Sequence, residues 1–154
     1  MLPTTPPRPP DVCLKIGTVN VGTMRGRCEE VVDMAARRHL DICCVQEMRW
    51  RGGRAKCVGS DDECFSVTLW RLIFKVSDEI IYWIGCEEGV SGVGVLVAGR
   101  WVGSVVEVRR VRDNVMVLRL VIGKSVLNVV SLYPPQVGRT ADEKEKFYIF
   151  LRKF

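Results

Sequence analysis

The chain has 154 residues, 47% hydrophobic and 27% charged, with a formal net charge of +5. This length suits one domain, and the composition excludes a largely disordered protein. No run of about 18 uncharged apolar residues occurs, which argues against a membrane-spanning helix. The modest positive charge favours an anionic partner such as nucleic acid.

The chain begins with a proline-rich stretch, residues 1–13, that lacks the apolar core of a signal peptide. We predict a flexible leader there and an intracellular location, nuclear or cytoplasmic. The seven cysteines are odd in number and include no Cys-x-x-Cys pair with zinc spacing. They are better explained as small hydrophobic residues in a reducing compartment than as metal ligands or disulfides.

Residues 14–47 predict a strand, a helix and a second strand. The run 14–21 is rich in β-branched residues, and a polar loop follows it. Within 28–40, Cys28, Val32, Ala36 and Leu40 recur every four residues and predict one buried helix face. The continuous apolar run ICCV at 42–45 is typical of a strand covered on both faces. This order indicates a βαβ-type start and a layered α/β or α+β domain.

The middle of the chain predicts a basic, glycine-rich loop followed by several strands. The loop covers 49–60, and weaker strand patterns follow at 65–76 and 79–85. Residues 92–98 predict a strand whose glycines allow close backbone approach. The runs 105–111, 115–122 and 125–133, joined by turns at 113–114 and 123–124, predict an antiparallel meander.

The last segment predicts an amphipathic helix. Thr140 and Glu143 fit a capping box at its start. Apolar residues then recur at helical spacing, so the helix needs a core to lie on. The residues of this stripe are Phe147, Phe150, Leu151 and Phe154.

Polar side chains follow two of the predicted strands at the point where each strand ends. Asn20 closes the first strand and Glu47 follows the second. If these strands are parallel neighbours, both side chains emerge at the carboxyl edge of the sheet, where open α/β sheets bind ligands. A carboxylate beside an amide suits Mg²⁺, which prefers oxygen ligands. The alternative is that Glu47 only begins a solvent-exposed loop.

A third polar residue, Tyr133, ends the last predicted strand before two prolines that stop the ladder. Considered alone, it is explained as a half-buried structural tyrosine.

Four motifs occur in the order used by the endonuclease/exonuclease/phosphatase superfamily: KIGTVN, the QE of ICCVQE, SGVGVLV and SLYPPQ. With EMRW, WIGCEEG and SLYPPQVGRT, most of residues 14–154 resembles the apurinic-type endonuclease domain of LINE retrotransposons. The resemblance is closest to the RTE-like clade and the craniofacial development protein 2-like sequences. It implies a four-layered α-β-β-α sandwich that hydrolyses phosphodiester bonds with Mg²⁺.

The resemblance also implies roles for individual residues. Glu47 would be the metal-binding carboxylate, and Asn20 would position the metal or the phosphate. Tyr133 would hydrogen-bond near the scissile phosphate. The loop after Glu47 would contact DNA through phosphates and through stacking or wedging by its tryptophan; the alternative is a solvated loop with the tryptophan packed on the domain. The residues concerned are Arg49, Trp50, Arg51, Arg54 and Lys56.

Several departures from the family pattern shape these expectations. Val19 stands where relatives have tryptophan, Tyr-Pro-Pro replaces Tyr-Ala-Pro, and about 61–81 looks like an insertion. The later Gly-Asp-x-Asn and Ser-Asp-His motifs are missing, and His39, the single histidine, fits a helix-capping or surface role.

We therefore expect residues 14–154 to form the N-terminal part of such a domain, truncated and without nuclease activity. Its uncovered sheet would allow self-association. The alternatives are a non-catalytic DNA-binding or protein-interaction remnant, and a retroelement fragment without a selected function.

Overall fold

A computed structural model describes residues 12–57, 63–64, 79–136 and 138–153 as two stacked β-sheets with helices. This arrangement confirms the predicted mixed α/β class. No helix in these ranges is long and apolar enough to cross a membrane.

The large sheet has the order β1-β2-β6-β5-β3-β4 and contains β1 (Ile16–Asn20), β2 (Ile42–Gln46), β3 (Gly53–Cys57), β4 (Glu63–Cys64), β5 (Ile80–Ile84) and β6 (Val93–Val97). The small sheet has the order β7-β8-β9 and contains β7 (Val105–Arg112), β8 (Val115–Ile122) and β9 (Ser125–Leu132). The helices are α1 (Cys28–Arg37), α2 (Gly99–Val102) and α3 (Ala141–Leu151).

Strands β1 and β2 are parallel neighbours joined by α1, as predicted, and Asn20 lies opposite Gln46 at their shared end. Strand β6 runs antiparallel to β2, so the large sheet is mixed rather than parallel throughout. Because β1 and β2 run in the same direction, residues that follow their carboxyl ends meet at one edge of the sheet.

The apolar run in β2 is buried on both faces, which confirms its interpretation. Ile42 and Cys44 lie in the core between the two sheets. Cys43 and Val45 lie in a second core beneath α1. Because apolar residues cover both faces of β2, polar side chains are disfavoured until the strand ends.

Helix α1 forms where predicted, and most of its predicted face contacts the core. Cys28, Val32 and Leu40 are partly buried against the second core, whereas Ala36 is exposed. The fully buried residues are Val31 and Ala35, which lie next to the predicted face. The helix ends at Arg37, and His39 follows it in the left-handed conformation with φ of 54°. His39 is exposed and ends the helix, as its predicted capping or surface role requires.

The predicted loop at 49–60 is partly a strand. Residues 53–57 form β3, paired antiparallel with β5 over five positions and also with β4. A basic, glycine-containing sequence has low intrinsic strand preference, so this pairing is a tertiary effect. Of the segment interpreted as an insertion, residues 61–62 and 65–78 lie outside the described residues.

The small sheet is the predicted meander, and α3 contacts it where the Arg112 guanidinium of β7 lies 4.1 Å from the centre of the Phe150 ring. The core between the sheets contains Met116 and Leu118 of β8. Helix α3 has the predicted capping box between Thr140 and Glu143. Phe147 is buried, while Phe150 and Leu151 are half-buried, which agrees with the predicted apolar stripe; the side chain of Phe154 lies outside the described residues.

A buried carboxylate, Asp41, anchors the start of β2. It accepts hydrogen bonds of 2.8 Å from the Lys15 backbone N–H, Arg100 Nε and Trp101 Nε1. Burial alone would raise its pKa, but these donors together hold the pKa below its ordinary value. Asp41 therefore has a structural role, tying β1, β2 and α2 together.

Candidate active site

The candidate site lies at the carboxyl edge of β1 and β2, beneath the end of β9. Asn20 closes β1, and Glu47 directly follows β2. Strand β9 lies over β2 and β6, which carries Tyr133 to the same edge from the other sheet. The structure thus brings together the three residues that the sequence singled out.

One oxygen of Glu47 is the centre of the hydrogen-bond network. Asn20 Nδ2 donates to Glu47 Oε1 at 3.0 Å, and the Tyr133 hydroxyl donates to the same oxygen. Gln136 Nε2 lies 3.5 Å from this oxygen and donates to the Tyr133 hydroxyl at 2.7 Å. Asn20 Oδ1 in turn accepts from the Gly22 N–H at 3.0 Å. Both ends of the Asn20 amide are engaged by protein, so Asn20 here orients the carboxylate, and its role as a metal ligand stays a prediction.

The second oxygen, Glu47 Oε2, faces the Arg49 guanidinium at 3.8 Å. Hydrogen bonds from Asn20 and Tyr133, together with the charge of Arg49, hold the Glu47 pKa below its ordinary value. The carboxyl group is therefore ionised at neutral pH. Its side chain is 17% exposed, so solvent and small ions can reach it.

The backbone at this point adopts an uncommon conformation. Glu47 and Arg49 both have left-handed φ angles, 55° and 57°. Met48 between them is fully buried, and its N–H donates to the Gly92 carbonyl at 3.1 Å. Left-handed non-glycine residues cost about 1–3 kcal/mol each and concentrate at functional sites. The buried Met48 holds this strained turn in place.

Gln136 is a site residue that the strand-end argument missed. It stands three positions after Tyr133, beyond two prolines, where no strand or helix pattern predicts a location. The prolines impose an extended turn that returns its amide to the Tyr133 hydroxyl. The available signal was the motif SLYPPQ, one of the motifs that carry the family resemblance, because it ends in this glutamine.

A basic groove of about 730 Å³ lies next to the carboxylate, on the side of β3. Arg49 belongs to both the groove and the Glu47 site. The Trp50 ring packs edge-to-face on Trp83 at 4.9 Å between centroids, so it is held against the domain. The predicted nucleic-acid residues therefore do share one surface. The groove is lined by Arg25, Arg49, Trp50, Arg51, Arg54, Lys56 and Trp83.

The described residues around Glu47 could hold a metal ion through one carboxylate only. Within the described ranges, no three His, Cys, Asp or Glu residues lie together as a metal cluster. The ionised Glu47 carboxylate would bind a metal ion through Oε2, because the hydrogen bonds from Asn20, Tyr133 and Gln136 all go to Oε1. Mg²⁺ commonly binds through one or two carboxylates together with water and substrate phosphates. Glu47 is compatible with that mode.

Glu47 should make the stability of the protein depend on pH. Because its folded-state pKa lies below the unfolded value of about 4.3, its contribution is present above that pH and is lost as the pH falls. We expect Glu47→Gln to flatten the free energy of unfolding between about pH 5 and pH 2. Urea denaturation at a series of pH values checks this, with exposed Glu145→Gln as control. Equal curves for both variants would contradict the network described above.

The similarity of this chain to known proteins lies in its fold. No protein-family description and no curated protein matches this sequence. Solved structures do match. The 3′ phosphatase NExo from Neisseria, bound to a product DNA hairpin, has a TM-score of 0.59 at 17% identity and covers 92% of this chain. The 3′-5′ exonuclease NExo from Neisseria meningitidis has a TM-score of 0.58 at 18% identity and the same coverage. The AP endonuclease LMAP from Leishmania major has a TM-score of 0.57 at 14% identity and covers 91%.

These matches show the fold, which is of the exonuclease and AP-endonuclease type. The present chain spans about half the length of each matched structure, between 47% and 51%. What the matched proteins act on is therefore a starting point for a proposal about this chain and nothing more.

Proposed function

We propose that this chain is a retroelement-derived, Mg²⁺-dependent DNA endonuclease domain of the LINE RTE-like and craniofacial development protein 2-like kind. In the proposal the chain retains the phosphate-binding side of the site and lacks activity by itself. The observation that carries it is the Glu47 network: an ionised carboxylate, oriented by Asn20 and Tyr133, at the carboxyl edge of two parallel strands.

The charge distribution around Glu47 supports a nucleic-acid partner. Of the described residues that line the groove beside it, five have cationic side chains and none is acidic. Arg54 and Lys56 alternate along β3, so they project from the same face of the strand about 7 Å apart. Rows of cations of this kind neutralise successive phosphates without contacting bases. We expect binding that is independent of sequence and strongly dependent on salt.

The protein groups at the site each have a defined task in this proposal. Glu47 would hold Mg²⁺ through Oε2, while Asn20 and Tyr133 keep Oε1 in position. The bound ion would neutralise charge on the phosphate and polarise a P–O bond. Arg49 would move from Glu47 to the phosphate, because a cation on the carboxylate replaces its ion pair.

The proposal also explains why activity should be absent. Among the described residues, Glu47 contacts the side chains of Asn20, Tyr133, Gln136 and Arg49, and none of these is a histidine or a second carboxylate. A positioned general base contributes about 10²–10⁴-fold to rate. Without one near Glu47, hydrolysis by this chain should stay at background.

A second candidate is a non-catalytic DNA-binding remnant, which the same groove favours. The two candidates differ in the role of Glu47. A nuclease-derived metal site requires Mg²⁺ to bind at Glu47, whereas simple phosphate binding requires only the cations.

The deciding experiment is an NMR titration of the chain with Mg²⁺. We expect chemical-shift changes centred on Glu47, Asn20 and Arg49, and their loss in Glu47→Gln. The matched control is Glu143→Gln, a carboxylate in a neighbouring surface cavity. Supercoiled plasmid incubated with Mg²⁺ should remain uncut by the parent chain and by the Glu47→Gln variant.

Each result has a distinct meaning. Absence of Mg²⁺ binding together with salt-dependent DNA binding would support the non-catalytic candidate and reject the metal-dependent one. Plasmid nicking that Glu47→Gln abolishes would show instead that the site is catalytically sufficient. Absence of binding to both Mg²⁺ and DNA would reject both candidates.

A further inference from the structure

The basic groove beside Glu47 contains an aromatic ring among its cations. Trp50 and Trp83 line the groove together with five cationic residues. Trp83 is only 5% exposed, whereas Trp50 is partly accessible to solvent. Part of the Trp50 indole therefore lies on the surface of the groove, where it can contact a ligand that the cations hold.

The Trp50 ring is held in place before any ligand binds. It packs edge-to-face on Trp83, with the ring planes inclined at 72° and the centroids 4.9 Å apart. Trp83 is itself fixed, since its Nε1 donates a hydrogen bond of 3.2 Å to the Arg51 carbonyl. The Trp50 carbonyl packs against Gly85, where a Cβ atom would collide with it. A ring that is already immobilised loses little further conformational entropy when a ligand stacks on it.

The cations of β3 are mounted on the same part of the fold as this ring. Arg54 and Lys56 belong to β3, which pairs with β5, the strand that contains Trp83. Arg110 of β7 fixes this pair from the other sheet. Its Nε donates to the Trp83 carbonyl at 2.9 Å, and its Nη2 donates to the Arg54 carbonyl at 2.8 Å. The aromatic ring and the backbone of the cationic strand are therefore held at a fixed separation.

The Trp50 ring determines which form of DNA the groove suits, because cations alone contact the phosphates of paired and unpaired strands alike. In a duplex the faces of the bases are stacked on one another, and only base edges are accessible in the grooves. A side chain reaches those faces only by inserting between base steps, as the wedges of minor-groove-binding proteins do. Trp50 is packed on Trp83 and does not project as such a wedge. An unpaired strand offers base faces as well as phosphates, and proteins bind such strands with a cationic groove that contains an aromatic platform.

We propose, on the basis of the DNA-binding function above, that the groove binds an unpaired DNA strand with one base stacked on Trp50. The surrounding cations contact the phosphates that flank this base. Because Arg49 belongs to both the groove and the Glu47 site, the same strand continues towards Glu47. The DNA that this chain recognises is therefore an overhang, a gap or a bubble rather than an uninterrupted duplex. Stacking tolerates every base, so binding stays independent of sequence.

The first test compares three DNA ligands of equal length on the whole chain by fluorescence anisotropy. They are a single strand that cannot pair with itself, a strand with the same phosphates but without bases, and a duplex. We expect the single strand to bind at least about fivefold more tightly than the strand without bases, because only the former can stack on the ring. It should also bind more tightly than the duplex. The salt dependence should be equal for the two single strands, since their charges are equal.

A second test removes the ring. Trp50→Leu should lower the affinity for the single strand to that for the strand without bases, and leave the latter unchanged. Trp50→Phe keeps an aromatic face and should restore most of the difference. The single strand should also quench the tryptophan fluorescence of the parent chain, and Trp50→Phe should lose most of this quenching. Trp101→Phe is the matched control and should retain it, because Trp101 packs against the core between the sheets and lies outside the lining of the groove.

The outcomes separate this proposal from the function on which it rests. Equal affinity for the strands with and without bases, or a duplex that binds as tightly as the single strand, would overturn the proposal but leave DNA binding by charge in place. If Trp50→Leu also lost affinity for the strand without bases, Trp50 would act through packing alone, which overturns the proposal as well. Absence of binding to all three ligands would reject both the proposal and the DNA-binding function.

Discussion

Simultaneous replacement of Arg51, Arg54 and Lys56 by alanine should weaken DNA binding by about 10²–10³-fold at 0.1 M salt. All three side chains line the groove beside Glu47. Each cation that neutralises a phosphate releases about one counterion, so removing three should also lower the slope of log affinity against log salt by about 2–3. Fluorescence anisotropy with a duplex over a range of salt concentrations measures both quantities.

The control for this prediction removes the same charge from another surface. Lys124, Arg152 and Lys153 are exposed and lie outside the lining of the groove. Their triple alanine variant has the same net charge as the groove variant but should retain most of the affinity. If both variants lose affinity equally, binding depends on net charge and the groove is not the interface. The groove variant should still bind Mg²⁺, since Glu47 is unchanged, which separates the two parts of the proposed function.

Gly85→Ala should be the most destabilising conservative change near the site, with a loss of about 3 kcal/mol or more in free energy of unfolding. A methyl group at this position would lie 1.8 Å from the Trp50 carbonyl oxygen and 3.0 Å from its carbonyl carbon. Both are backbone atoms of the segment that links Glu47 to β3, and this segment cannot rotate away as a side chain could. Urea denaturation monitored by circular dichroism provides the measurement.

Gly123→Ala is the comparison that isolates this steric effect. Gly123 has a left-handed φ of 59° in the turn between β8 and β9, with no atom near the added methyl group. Alanine there should cost only about 1 kcal/mol, from backbone strain. Similar losses for both variants would mean that the Trp50 segment is not packed against Gly85. Because Gly85→Ala displaces the backbone near Arg49, it should also reduce DNA binding in the fraction that remains folded.

The strand-end residues of the site were predictable because the signals are local. In β2, apolar residues cover both faces, so the first polar residues mark the end of the strand. The helix between β1 and β2 makes a parallel pair the simplest connection, and this alone places Asn20 and Glu47 at the same edge. The capping box at Thr140 is local in the same sense, since its two hydrogen bonds join residues three positions apart.

Other features depend on contacts between distant residues. Strand β3 depends on pairing with β4 and β5, and β5 is distant from it in the sequence. Val31 and Ala35 are the most deeply buried residues of α1, beside the predicted Cys28–Val32 stripe, because the position of the sheet beneath sets the rotation of the helix. The spacing of apolar residues predicts that a helix has a buried face. It does not fix the centre of that face to within one residue, because the apolar stripe is wider than one residue.

The sequence by itself determined that an apolar strand ends in a carboxylate, with an amide ending its predicted neighbour, and resemblance suggested a nuclease domain. Only the tertiary structure decided that the Tyr133 hydroxyl and the Gln136 amide converge on Glu47 Oε1, 86 and 89 residues away along the chain. The alternation of side chains and the ends of strands follow from local backbone geometry. The convergence of these side chains on Glu47 depends instead on how the two sheets stack, which the packed core fixes.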